Sequence, residues 1–221
     1  MRPDERPVVF EGRTDAGHRL AKRLGHSRYS QGIVVGIARG GILVAATAAH
    51  RLHMPWNVMV TRSLVNPWYP QAGFGVVASD GSSVLNEPML RALDIPRHDV
   101  DEIADHAVKD ARRQAELYAS RREPADLNGR SVILVDDALI SGYTMLAAIR
   151  SARLQGAGGV IVAAPLASRS AANLVESSAD ECIFDIVSPS IPFSPADFYV
   201  DWPELDDGDV MNLLGCQRGD M

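Results

Sequence analysis

The chain has 221 residues, 46% of them apolar and 23% charged, with a formal net charge of −6. This is ordinary globular composition in a chain long enough to bury a substantial core. The acidic balance argues against a general nucleic-acid binder, whose affinity rests on clustered lysine and arginine. The two cysteines, Cys182 and Cys216, are far apart and outside any metal-ligand spacing, so neither a disulfide framework nor a structural zinc site is expected.

The opening MRPDERPVVF lacks the apolar core of a signal peptide. The longest apolar run, 40–49, is too short to span a bilayer. A cytoplasmic location without membrane contact is expected. Thr14 is placed to cap a helix over 15–24, with Leu20 and Leu24 on one face. The run 33–37 reads as a buried strand, ending in the glycine turn Ala38-Arg39-Gly40-Gly41 before a helix over 42–52. Residues 57–61 read as the next strand and 62–71 as a loop holding Pro67, Trp68, Tyr69 and Pro70. Strands at 73–78 and 83–85 flank the turn Ser79-Asp80-Gly81-Ser82 as a hairpin.

Apolar residues recur at helical spacing over 99–122, with acids opening the helix and arginines closing it. A strand over 132–135, a loop over 136–142 and a helix over 143–154 follow. Then come a strand at 160–164, a helix at 169–176 and a strand at 182–187. The tail, 188–221, is proline-rich and then acidic, suited to folding over the sheet as a small lobe. The six histidines show no metal-binding spacing, and no P-loop, GxGxxG or GxSxG signature is present. The alternation of strand and helix predicts an α/β fold: a doubly wound, mostly parallel, Rossmann-like sheet in a single domain.

The chemistry concentrates in the segment from Val132 to Thr144. Asp136 and Asp137 stand at the carboxyl end of a buried strand, where open α/β sheets bind ligands. Adjacent carboxylates in such a place require compensation by ribose hydroxyls, Mg²⁺ or a basic neighbour. Ser141, Gly142 and Thr144 then open a helix, whose free amides make an anion site. A diol or metal binder a few residues before a phosphate cradle suits a ribose 5-phosphate. Taken alone, two acids ending a strand and a serine cap would be the blander reading. The strand, the acids, the loop length and the Ser-Gly-x-Thr helix start together favour a site. Arg39 adds a fixed cation beside Gly40 and Gly41, which let backbone amides approach an anion.

This segment resembles the 5-phosphoribosyl 1-diphosphate (PRPP) motif of the type I phosphoribosyltransferases. Phe10 to Arg13, Gly36 to Gly41, Ala163 to Ser168 and Phe198 to Trp202 resemble, in the same order, segments of a bacterial subgroup of that family. The resemblance implies a core sheet with a flexible loop or hairpin, about 62–85, and a C-terminal hood, about 188–221. It implies Asp136 and Asp137 on the ribose hydroxyls and possible Mg²⁺ contacts. It implies Ala138, Leu139, Ile140, Ser141, Gly142, Tyr143 and Thr144 around the 5-phosphate, and Ala38, Arg39, Gly40 and Gly41 around the diphosphate. Arg39 and Arg62 would take the leaving group's charge. Ala38 stands where proline is common, Arg62 where lysine is, Ala138 where glycine is, and the bulky Tyr143 where a small residue is usual. Trp68, Tyr69 and Phe74 suit either shielding the site and stacking on an acceptor or packing in the loop or at a dimer contact, and Pro192, Phe193, Phe198 and Tyr199 suit either a hood over the acceptor or a packed C-terminus. The implied partners are PRPP, a small nitrogenous acceptor and a second copy in a homodimer, with Mg²⁺ as cofactor and no nucleic acid. The alternative is a regulator of the same fold that binds PRPP or a nucleotide without turnover.

Overall fold

The computed structural model describes residues 9–25, 29, 31–66, 69–189 and 194–215. Five parallel strands lie in the order β2-β1-β6-β7-β8. They are β1 (Ile33–Ile37), β2 (Trp56–Met59), β6 (Ser131–Val135), β7 (Gly159–Ser168) and β8 (Glu181–Ser188). Every residue of β1 is buried, as are Val132 to Val135, which is why these strands read as unbroken apolar runs. The helices α1 (Arg13–Leu24) and α2 (Gly40–Leu52) cover one face, and α5 (Tyr143–Leu154) and α6 (Arg169–Glu176) cover the other. The doubly wound parallel sheet is as expected. Among the described residues no helix is long and apolar enough to cross a membrane.

Several boundaries depart from the sequence reading. The first helix begins at Arg13 behind Gly12, so Thr14 is inside it and not its cap. Asp15 instead reaches back to the Glu11 amide at 3.3 Å, which satisfies the entry from within. Gly40 and Gly41 form the first turn of α2, not a turn before it. The strand β7 runs on to Ser168 because β8 keeps pairing with it as far as Ser188.

Of the stretch expected as a loop, 62–71, residues 62–66 and 69–71 are strand. β3 (Thr61–Asn66), β4 (Tyr69–Ala78) and β5 (Ser83–Leu85) form a separate antiparallel sheet. The turn chemistry at Ser79–Ser82 was legible, but the pairing of β3 with β4 depends on partners that a local pattern does not reveal. Leu64, Phe74, Val77 and Val100 make a core between this sheet, α3 (Glu87–Leu93) and α4 (Arg97–Ala119). Phe74 is fully buried there and is not available to stack on a ligand.

Asp80 pins the hairpin turn to α5. Its carboxylate accepts the Ser82 amide at 2.8 Å and the Ser151 hydroxyl at 2.7 Å. Burial alone would raise its carboxyl, but the hydrogen bonds from Ser82, Ser151 and Gln155 outweigh that and hold it below the usual range. A depressed folded-state value means the unfolded chain binds the proton more readily. The contribution is therefore present above about pH 4 and is lost as pH falls through the folded value. Asp80→Asn is expected to cost about 1–2 kcal/mol at pH 7. In urea titrations the gap to the parent protein should shrink below about pH 4; a gap independent of pH would refute the ionic account.

The tail returns to the start of the chain. Phe10 and Tyr199 form a bridge, with the Phe10 amide on the Phe198 carbonyl at 2.9 Å and the Val200 amide on the Phe10 carbonyl at 2.8 Å. Phe10, Ala16, Leu166, Phe198 and Tyr199 pack together beneath it. A short 3₁₀ turn, Pro195–Asp197, precedes this bridge, and α7 (Asp207–Gly215) closes the described chain against α2 and α4.

Candidate functional site

From β1 the chain moves outward to β2, whereas from β6 it moves the opposite way through β7 to β8. The loops leaving the carboxyl ends of the adjacent strands β1 and β6 therefore diverge. A crevice at such a switch point is where open α/β sheets hold ligands. The two predicted segments, 38–41 and 136–144, are these two loops. They touch closely. A Cβ on Gly40 would strike the Asp137 carboxylate, and one on Gly41 would fall 2.6 Å from the Val135 carbonyl oxygen and 2.7 Å from Asp136 Cα. Glycine at both positions lets the first turn of α2 lie directly against the acid pair. The Ala38–Arg39 peptide is cis.

The two acids have different environments. Asp137 is buried, and its Oδ2 accepts Arg13 Nε at 2.8 Å and Trp202 Nε1 at 3.1 Å. Its main-chain carbonyl accepts the Tyr199 hydroxyl at 2.8 Å. Arg13 is itself buried, donates through Nη1 to the Pro203 carbonyl at 2.6 Å, and stacks 5.0 Å over the Trp202 ring. Burial first, and then the charge of Asp137, raise the Tyr199 hydroxyl far above its ordinary range, so it remains a donor. Asp137 thus joins the first helix, the motif loop and the tail.

Among the described residues Asp136 has no ion-pair partner, and the Arg13 charge is the least of the influences on its carboxyl. Asp136 accepts the Asp137 amide at 2.9 Å and forms part of the wall of the adjacent hollow. Part of the residue's surface is exposed, but its carboxyl is enclosed by protein. Burial, then the neighbouring Asp137 charge, push it well above the usual carboxylate range. The pair therefore consists of one carboxylate locked by arginine and one acid, its carboxyl raised by burial and by its neighbour, on the wall of an open space.

That open space is a hollow of about 150 Å³ lined by Asp136, Ala138, Leu139, Ile140, Ser141, Gly142, Thr144 and Met145. It is roomy enough for several waters or a phosphate group. The Leu139 amide donates to the Leu166 carbonyl at 2.8 Å and its carbonyl accepts the Ser168 amide at 2.8 Å, so β7 anchors the loop. Gly142 sits at φ 84°, a conformation that favours glycine, and leaves the first turn of α5 without a side-chain cap. The amides of that turn are available to an anion. Tyr143 is at the helix start as predicted, but its ring is not part of the hollow's wall.

Arg39 is exposed at the start of α2, and Arg62 is half-buried on β3 with Nη1 on the Thr61 carbonyl at 3.2 Å. Both act on one carboxylate, Asp207 at the start of α7. Asp207 Oδ1 accepts the Tyr118 hydroxyl and Gln114 Nε2, each at 2.6 Å. The Tyr118 bond first, with Gln114 and the two arginine charges, holds its carboxyl below the usual range despite desolvation. The charges of Arg39 and Arg62, distant in sequence, therefore reach one carboxylate.

Phe198 and Tyr199 are packed against Phe10 and do not face an open site. Trp68, Pro192 and Phe193 lie outside the described residues, as do the side chains of Tyr69 and Pro70. The sequence reading missed the roles of Arg13, Trp202, Ser168 and Asp207. For Ser168 a signal existed, a serine before a helical run; the others are joined to the site only by long-range contacts.

The sequence model of the phosphoribosyl transferase domain family matches residues 76–201. The Mycobacterium tuberculosis H37Rv protein named "Putative phosphoribosyl transferase Rv0571c" is 31% identical over 206 residues, which is 93% of this chain and 46% of that protein. Its counterpart in strain CDC 1551, MT0597, matches equally. The chain thus spans about half the length of these curated relatives. The crystal structure of TT1426 from Thermus thermophilus is similar at a TM-score of 0.77 and 31% identity, covering 94% of this chain and 98% of that one.

Proposed function

The chain belongs to the phosphoribosyl transferase domain family, and from that premise we propose that it transfers the 5-phosphoribosyl group of PRPP to a nitrogen-bearing acceptor, releasing diphosphate. The observation that carries this reading is the acid pair Asp136–Asp137 against the glycine turn of α2, with Asp136 on the wall of an anion-sized hollow at the switch point of the sheet. Residues 138–144 would take the 5-phosphate on backbone amides and the Ser141 and Thr144 hydroxyls. Asp136 would hold the ribose hydroxyls. As the C1–diphosphate bond breaks and the acceptor nitrogen bonds to C1, positive charge builds on the sugar. Asp137 supplies fixed negative charge beside it, and Arg39, Arg62 and residues 38–41 would take the charge of the departing diphosphate.

The donor set suits Mg²⁺ only together with substrate oxygens. Among the described residues no group of three ligating side chains exists. Mg²⁺ ordinarily uses one or two carboxylates plus phosphates and water. Asp136 would hold it, Asp137 being engaged by Arg13 and Trp202. When bound, the ion would neutralise the diphosphate.

Calorimetric titration with PRPP, with and without Mg²⁺, tests the reading. Magnesium-dependent binding is expected, weakened about ten- to a hundredfold by Asp136→Asn. A folded protein that shows no binding at all would overturn it. The engagement of Asp137 by Arg13 and Trp202 favours a second reading, binding without turnover. Steady diphosphate release with any one acceptor would remove that reading.

A further inference from the structure

Ser168 ends β7 with its side chain buried, and its hydroxyl is fully committed. It lies 2.7 Å from the Ile140 carbonyl oxygen, 3.0 Å from the Ala171 amide and 3.0 Å from Ser170 Oγ. A serine hydroxyl has one proton and two lone pairs. The proton goes to the Ile140 carbonyl, which has none of its own to give. The lone pairs take the Ala171 N–H and the Ser170 O–H, so Ser170 is the donor in that pair. Its main-chain amide meanwhile donates to the Leu139 carbonyl at 2.8 Å.

One residue therefore holds two successive carbonyls of the motif loop. In a trans peptide the N–H points opposite to the C=O of the same unit. With the Leu139 and Ile140 carbonyls both turned to Ser168, the Ile140 and Ser141 amides both point away from it. Ile140, Ser141 and Gly142 form part of the wall of the hollow beside this loop. Among the described residues neither amide has an acceptor. Two consecutive amides facing one concavity make an anion-binding arrangement.

We propose that Ser168 is the positioning residue of the anion cradle: by holding the Leu139 and Ile140 carbonyls, it aims the Ile140 and Ser141 amides at the terminal oxygens of a sugar phosphate. This rests on the functional reading above and adds a residue to it, one that does not touch the ligand. The Ser168 hydroxyl also caps α6 through Ala171, so a loss of stability alone would not distinguish positioning from capping.

The test compares the parent protein, Ser168→Ala, Ser168→Thr and Ser170→Ala in titrations with ribose 5-phosphate and, separately, with Mg²⁺ and inorganic diphosphate. Ser168→Ala is expected to bind ribose 5-phosphate about tenfold more weakly, since an amide bond to a charged oxygen loses its alignment. Its diphosphate affinity should stay within about twofold, because residues 38–41 are not held by Ser168. Ser168→Thr retains the hydroxyl and should restore binding, and Ser170→Ala should leave it unchanged. Equal affinity of Ser168→Ala and parent protein for ribose 5-phosphate would overturn the inference alone. Failure of the parent protein to bind ribose 5-phosphate would overturn both this and the functional reading. Should Ser168→Ala not fold, amide NMR of the parent protein decides. The Ile140 and Ser141 resonances are expected to shift most on titration with ribose 5-phosphate, and their staying fixed would refute the proposal.

Discussion

Replacing Arg13 with methionine is expected to destabilise the protein by about 3–5 kcal/mol, or roughly 6–20 °C in Tm for a chain of this size. Methionine keeps much of the apolar stem of arginine, so the loss isolates the charged head. Three partners are affected together: the buried Asp137 carboxylate loses its cation, the Pro203 carbonyl loses a donor, and Trp202 loses the guanidinium stacked on it. Asp137 dominates. An unpaired charge in a buried site costs far more than the intact pair contributes relative to an apolar replacement. This gives the prediction a second arm. Arg13→Met/Asp137→Asn removes the charge along with its partner, and should recover part of the stability lost in the single variant. Urea unfolding of the three proteins checks both. A single-variant loss below about 1 kcal/mol, typical of an exposed pair, would mean that Arg13 is not the buried partner of Asp137.

This interaction also marks the limit of what the chain reveals by inspection. β1 and α6 have the predicted boundaries, because an apolar run bounded by turn residues or a serine cap is local information. α5 likewise begins at Tyr143, where the Ser-Gly-x-Thr start placed it. The acid pair and the glycine turn could be located because strand end, loop and helix start follow one another. What each acid does was not legible. Asp136 and Asp137 look equivalent in sequence, and they are separated only by contacts to Arg13 and Trp202, which lie 124 and 65 residues away. The same holds for Arg39 and Arg62, whose common focus on Asp207 depends on α7, a helix that an acidic tail did not announce. The reading of 62–66 as loop failed for a related reason: β3 is a strand because β4 pairs with it.

The closeness of the two loops leads to the other large effect. Gly41→Ala is expected to cost about 1–3 kcal/mol of stability and, on the proposed function, to weaken PRPP binding more than about a hundredfold, since a misplacement near 1 Å suffices for that. The added Cβ would meet Val135 and Asp136 main-chain atoms of the neighbouring strand end, which cannot rotate away as a side chain would. The relief available is to push α2 and β6 apart, and that displaces Asp136 from the hollow. Helix propensity works in the opposite direction, favouring alanine over glycine by up to about 1 kcal/mol, so the net sign tests which effect wins. Gly215→Ala is the control. It makes the same substitution at the end of α7, where among the described residues a Cβ would meet nothing within 4 Å, and should change stability by no more than about 0.5 kcal/mol. If Gly41→Ala proves as stable as the parent protein and binds PRPP equally well, then the contact between α2 and the acid pair does not set the geometry of the crevice.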